Sequence, residues 1–257
     1  MKICTAEFPD EAPKYEHAIK TIAAHVAETG PDLLILPEMP FTPWIFCVEA
    51  SDPDKWAATV DDHDRWLRRL VDAIPTPVIT SRPIDKDGKA LNEAFFLDAD
   101  RIVHPLRSKF YLPNDFPAVE RVWFDEGDTA TGVFDILGAK ISVQLCSEIM
   151  YAETPRLLRA EGAEIVVQSR ATGDLPRWRA ASVLGASTSG AFVVGANRRS
   201  EDRDWFSGAS WVYSPQGELL GESSAEHPCV TVEIDLDEAR AAKVEYPLTM
   251  FEHYRAQ

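Results

Sequence analysis

Three residue types able to do acyl-transfer chemistry stand where apolar runs give way to polar residues. The stretch ISVQLCSEIMY ends a strand-like run on Cys146, and Ser147 and Glu148 follow at once. DLLILPEMPF reaches Glu38 at the end of its apolar run, and RSKFYLP holds Lys109 among aromatics able to bury its stem. A thiol attacks a carbonyl or nitrile carbon only as thiolate, so it needs a base or a cation beside it. A carboxylate can take that proton and pass it to departing ammonia. An ammonium, helped by a backbone N–H such as that of Ser147, can hold the oxyanion of a tetrahedral intermediate. Taken singly, each residue has a plainer use: a core thiol, a loop carboxylate, a surface cation.

The elements that must position these groups follow from periodicity. KICTAEF reads as a strand; from Pro13 a helix runs through Tyr15, Ile19, Ile22, Ala23 and Val26 to a stop at Gly30. DLLILPEMPF has the unbroken apolar character of a buried parallel strand. Asp52-Pro53 predicts the start of a helix through Trp56, Val60, Trp66, Leu67, Leu70 and Val71, followed by the strand TPVITS. NEAFFLDADRIVHPLRS reads as two strands about Asp98-Ala99-Asp100, and TGVFDILGAKISVQLC as a hairpin turning at Leu137-Gly138. Helices near Pro155 to Glu161 and Trp178 to Thr188 then alternate with the strands AEIVVQS and AFVVGAN. A last hairpin turns at Pro215-Gln216-Gly217, and CVTVEIDL closes the sheet content. Crossovers interleaved with hairpins imply mixed sheets with helices outside. Residues with chemistry to do gather beyond the carboxyl ends of such strands.

LLILPEMPF, RSKFYLPNDFPAVERVWFDEGD and ISVQLCSEIMY resemble, in order and separation, the three signature regions of the nitrilase, or carbon-nitrogen hydrolase, superfamily. The resemblance implies an α/β fold, a four-layer α-β-β-α sandwich of two mixed sheets. It implies Glu38 as general base and acid, Lys109 as oxyanion stabiliser and Cys146 as nucleophile. Glu120 fits the place of a second glutamate that orients Lys109 or the substrate. Later segments, AEIVVQSRATGDLPRWRAASVLGASTSGAFVVGANR and FSGASWVYSPQGELLGE, extend the similarity to nearly the whole chain. Within that class, Glu148 two places after the cysteine leans towards nitrilases and the short chain towards amidases. The expected activity is hydrolysis of a small carboxamide to acid and ammonia through a thioester, with nitrile or N-carbamoyl hydrolysis as the alternative. A catalytically silent binding relative and a thiol redox protein are the readings from other classes; the second would want a resolving cysteine near Cys146, and the local sequence offers none.

Phe41, Trp44, Tyr111, Ser147, Glu148, Arg170 and Trp178 are the candidate substrate-binding residues, Arg170 for bidentate pairing with a carboxylate. Trp205, in a polar loop, is a candidate lid or interface residue. The 257 residues carry no composition shift or linker, so residues 1–257 are expected to form a single domain. Four scattered cysteines without a CxxC pair or His cluster point to a reducing cytoplasm and to no metal or cofactor. The N-terminus lacks the apolar stretch of a secretory signal, and no run approaches the roughly 20 apolar residues of a membrane span. A net charge of −16 argues against sequence-independent nucleic-acid binding. The resemblance implies association as a homodimer or larger even assembly, and the apolar residues Tyr246, Leu248, Met250 and Phe251 suggest that the 244–257 tail packs on its own domain or on a partner.

Overall fold

Helical spacing of apolar residues builds the first crossover. In the computed structural model, described for residues 1–48, 50–115, 118–173, 176–201 and 205–245, α1 (Tyr15–Thr29) buries Tyr15, Ile19, Ile22 and Val26 on one face. It ends at Gly30, whose φ of 58° makes a left-handed cap that a Cβ would disfavour. α2 (Pro53–Ala73) begins as the Asp52-Pro53 pair predicts, Asp52 accepting from the backbone N–H groups of Asp54 and Lys55 at 3.1 and 3.2 Å.

Both helices cover one face of a six-stranded sheet ordered β15 (Cys229–Glu233), β1 (Lys2–Ala6), β3 (Leu33–Ile35), β4 (Val78–Lys86), β5 (Lys89–Leu97), β6 (Val103–Ser108). A second sheet runs β14 (Leu219–Glu222), β13 (Trp211–Tyr213), β12 (Phe192–Arg199), β11 (Ile165–Arg170), β10 (Ala139–Leu145), β9 (Val133–Ile136), with β2 (Phe8–Pro9) beside the end of β12. Its outer face carries α3 (Thr154–Ala160) and α4 (Pro176–Ser189). A short hairpin of β7 (Asn114–Asp115) and β8 (Ala118–Val119) stands apart from both sheets, and α5 (Leu236–Ala242) follows β15.

The strand period of two sorts side chains between layers. Ile3, Leu33 and Ile35 enter the core between the sheets, where they meet Ile141, Val143, Val167 and Val194. Cys4 and Leu34 turn outward to α1 and α2, and Val166 and Val193 to α3 and α4. The β1–β3–β4 and β10–β11–β12 pairings are parallel and the flanking ones antiparallel, which yields the expected α-β-β-α layering with mixed sheets.

Two elements differ from expectation. TPVITS is only the start of a nine-residue strand, which turns at Asp87 and Gly88, both at positive φ (53° and 78°), into β5. Asp-Gly is the sequence signature of that tight hairpin; the charged, half-exposed far end of β4 masked it. α5 was not expected; Asp235 caps it by accepting from Asp237 N–H at 3.0 Å. The apolar tail from Tyr246 onward lies outside the described residues.

Candidate active site

Glu38, Lys109 and Cys146 come from three strand ends, and each is fixed by its own local chemistry. Glu38 lies three residues beyond β3. Thr80 Oγ1 donates to Pro37 O at 2.6 Å and Met39 N–H to Ser81 Oγ at 3.1 Å, which ties its segment to β4. From the other sheet, Arg198 donates to Met39 O at 2.5 Å and Thr42 O at 2.6 Å while pairing with Asp10 at 2.5 Å. Lys109 follows β6 directly. Its Nζ donates to Glu38 Oε1 at 2.8 Å and to Glu120 Oε2 at 2.7 Å, and all three side chains are wholly buried. Cys146 follows β10 at a φ of 49°, a left-handed conformation that costs a non-glycine residue of order 1–3 kcal/mol and recurs at functional sites. Its Sγ donates to Ala171 O at 3.8 Å.

Charge balance sets the resting state. Burial pushes the Cys146 thiol well above its usual range, and the Glu38 carboxylate adds to that push while Lys109 opposes it. The sulfur at rest is therefore a protonated thiol that needs a base. Burial works against the Lys109 ammonium, but Glu120 and Glu38 outweigh it and hold the group charged above its ordinary value. Burial likewise raises the Glu120 carboxyl, with Lys109 opposing. One ammonium thus serves two carboxyl groups, and both Glu38 and Lys109 act electrostatically on the sulfur.

Cys146 opens into a cavity of about 270 Å³ whose walls include Trp44, Trp178, Trp205, Phe206 and Ser147. Glu38, Lys109 and Glu120 are wholly buried, stand outside the cavity lining and act electrostatically on the thiol. Arg177 and Asp115, both exposed, stand at the edge of the cavity.

Four expected substrate contacts are corrected by their surroundings. Phe41 is core, packed edge-on to Phe8 at 5.2 Å and against His63 at 5.0 Å. Arg170 cannot pair with a substrate carboxylate: its guanidinium lies 3.6 Å over Trp211 and donates to Ala209 O at 2.8 Å and Thr172 Oγ1 at 3.2 Å. Both oxygens of Glu148 are committed, to Arg107 at 2.5 and 2.7 Å and to the backbone N–H groups of Leu145 and Phe110 at 2.8 Å each. Glu148 thus locks the Cys146 turn onto the Lys109 segment. The Tyr111 ring stacks on Tyr151, centroids 3.6 Å apart, outside the cavity walls, and its carbonyl accepts from Ser147 Oγ at 3.1 Å.

Sequence reasoning passed over Arg107, Arg198 and Asn92. Asn92 Nδ2 donates to Glu38 Oε1 at 2.8 Å. A buried amide inside the strand LNEAFFL, where an apolar residue would pack more cheaply, was the available signal.

Residues 3–244 match the family model described as carbon-nitrogen hydrolase. An (R)-stereoselective amidase from Pseudomonas sp is 26% identical over 244 residues, 92% of this chain and 84% of the relative. An N-carbamoylputrescine amidase from Arabidopsis thaliana is 25% identical over 230 residues, 81% of this chain and 77% of the relative. Among solved structures, a carbon-nitrogen hydrolase from Helicobacter pylori G27 superposes with a TM-score of 0.85 at 19% identity, covering 99% of this chain and 97% of that one.

Proposed function

The chain belongs to the carbon-nitrogen hydrolase family and is an enzyme of that class, and from that premise we propose that it is an amidase acting on small carboxamides with an apolar acyl group. The observation that carries the reading is the wholly buried Glu38–Lys109–Glu120 cluster acting on the one thiol that opens into an aromatic cavity. In this reading Glu38 takes the proton from Cys146 as sulfur attacks the carbonyl carbon. The Lys109 ammonium and the Ser147 N–H receive the developing oxyanion. Collapse breaks the carbon–nitrogen bond, the proton returns from Glu38 to nitrogen, and ammonia leaves. Water, deprotonated by Glu38, then opens the thioester, and the carboxylic acid departs with the thiol restored. Glu120 keeps Lys109 charged and in place.

The cavity walls speak for the acyl side: Trp44, Trp178, Trp205 and Phe206 offer ring faces and edges that favour alkyl or aryl groups. The test is ammonia release from a panel of alkyl and aryl carboxamides, matching nitriles and N-carbamoyl amines, with intact-protein mass spectrometry. Turnover of apolar carboxamides that vanishes in Cys146→Ala, with a covalent adduct on Cys146, is the expected result. Turnover surviving in Cys146→Ala, or confined to nitriles or carbamoyl compounds, overturns it.

The same reading extends to setting. Four free cysteines suit a reducing cytoplasm, and the −16 charge disfavours a nucleic-acid partner. Leu157 on α3 and Leu184 on α4 are 46% and 57% exposed on packed neighbours, and that outer face supports a homodimer. A light-scattering mass equal to one 28.7 kDa chain at micromolar concentration would exclude the dimer.

A further inference from the structure

We infer that Asn92 is a positioning residue that selects which oxygen of Glu38 moves the proton; the inference rests on Glu38 being the base. Asn92 lies on β5 and is 1% exposed. Its Nδ2 donates to Glu38 Oε1 at 2.8 Å, the oxygen that also takes Lys109 Nζ at 2.8 Å. A carboxylate only accepts, so the amide must present its NH2 here. The Asn92 carbonyl in turn accepts from Lys109 N–H at 2.8 Å. One residue therefore holds Glu38 by its side chain and the Lys109 backbone by its main chain.

The consequence is an asymmetric carboxylate. Two donors occupy Oε1, and a flip of the group breaks both bonds. Oε2 is buried with no hydrogen-bond partner, so it is the basic oxygen available to the thiol and later to the leaving nitrogen.

Packing alone gives no reason for this amide. Asn92 Oδ1 is itself buried without a partner, a penalty an apolar residue at the same strand position would not carry. The charged and titratable groups around Glu38 are Lys109 after β6, Glu120 from the turn that follows β8, Cys146 after β10 and Arg198 of β12, which reaches the Glu38 carbonyl at 3.4 Å. Among these, Asn92 is the neutral donor to the carboxylate.

The test follows Cys146 alkylation by iodoacetamide across pH, located by peptide mass spectrometry, together with kcat and KM for ammonia release. Asn92→Ala keeps the main-chain bond to Lys109 and removes only the amide. Alkylation at pH 7 is expected to fall at least fivefold and to approach the parent rate at high pH, where hydroxide replaces the base. The kcat falls at least tenfold with KM within twofold, and the acid limb of kcat/KM moves to higher pH. Should Asn92→Ala fail to fold, the isosteric Asn92→Asp serves, and it is expected to lose more activity at neutral pH because it sets a carboxylate against Glu38. An unchanged pH profile and kcat in a folded variant overturn the inference. Glu38→Gln separates the two levels: full turnover there defeats the base assignment itself, whereas a dead Glu38→Gln beside a normal Asn92→Ala defeats only the role of Asn92.

Discussion

Lys109 stands between two carboxylates in a region with no access to water, so the cost of removing a group depends on what charge stays behind. Lys109→Met leaves Glu38 and Glu120 facing each other without a counter-ion, and an uncompensated buried charge costs about 3–5 kcal/mol. Both Glu120 oxygens accept from Nζ, at 2.9 and 2.7 Å; Glu120→Gln leaves the Glu38–Lys109 pair neutral and keeps one of the two acceptors, so it should cost less, about 1–2 kcal/mol. Urea unfolding of the two variants should show that inequality, and equal losses would mean that the cluster is not charged as described. Glu38 and Cys146 stood out in the sequence at the ends of apolar runs and Lys109 among aromatics, whereas Glu120 was singled out only through the family resemblance. Glu148 was misread because a carboxylate three residues past a strand end can face a cavity or turn back into the core. Only its partner decides, and that partner, Arg107, lies 41 residues away in sequence. Asn92 is separated from Glu38 by 54 residues and was hidden for the same reason.

At the scale of elements, the placement of Lys109 depends on a strand end pinned by its neighbour in space. Gly127 N–H donates to Lys109 O at 2.9 Å, and a Cβ at Gly127 would stand 2.2 Å from Ser108 O and 3.1 Å from Lys109 O. Those are backbone atoms that cannot swing aside, so Gly127→Ala must displace the segment carrying the Lys109 ammonium. Overpacking of this kind costs about 1–3 kcal/mol, and ammonia release is expected to drop at least tenfold. Gly138→Ala is the matched control: its φ of 80° strains the turn, yet nothing lies within 4 Å of the new methyl. It should lower the melting temperature and leave turnover intact; similar activity in both variants would show that the Gly127 approach does not set Lys109. Periodicity exposed the long elements well because burial on one face and exposure on the other leave a period in the sequence. It missed the far half of β4, where a proline interrupts the run and two exposed charges end it, and it missed α5, whose seven residues span too few turns to show a stripe.

For the whole molecule, the site lies on the seam between two sheets, and neither sheet contains it alone. Glu38 and Lys109 follow strands of the first sheet, Asn92 lies within β5 of that sheet, and Cys146 follows β10 of the second, so the proposed chemistry requires the layers to hold a fixed offset. Apolar packing between sheets tolerates sliding more readily than directional bonds do, and the directional bonds across the seam include two from hydroxyl groups: Ser169 Oγ donates to Leu36 O at 2.9 Å and Thr5 Oγ1 to Gly195 O at 3.0 Å. The layering was expected only through family resemblance, since a strand's period says which faces are apolar but not which faces meet. The two bonds make the seam testable. Each loses a buried hydroxyl donor on substitution, so Ser169→Ala and Thr5→Val should cost a similar amount, about 1 kcal/mol apiece. Their effects on turnover should differ. Ser169 holds the β3 extension two residues before Glu38, next to the Glu38 N–H to Arg170 O bond of 3.4 Å, so Ser169→Ala should lower kcat severalfold at nearly constant KM. Thr5 sits on β1, which ends without a catalytic side chain, and Thr5→Val should keep kcat within twofold. Matching kcat values in the two variants, measured beside their unfolding midpoints, would show that offset at the seam does not govern the meeting of carboxylate and thiol.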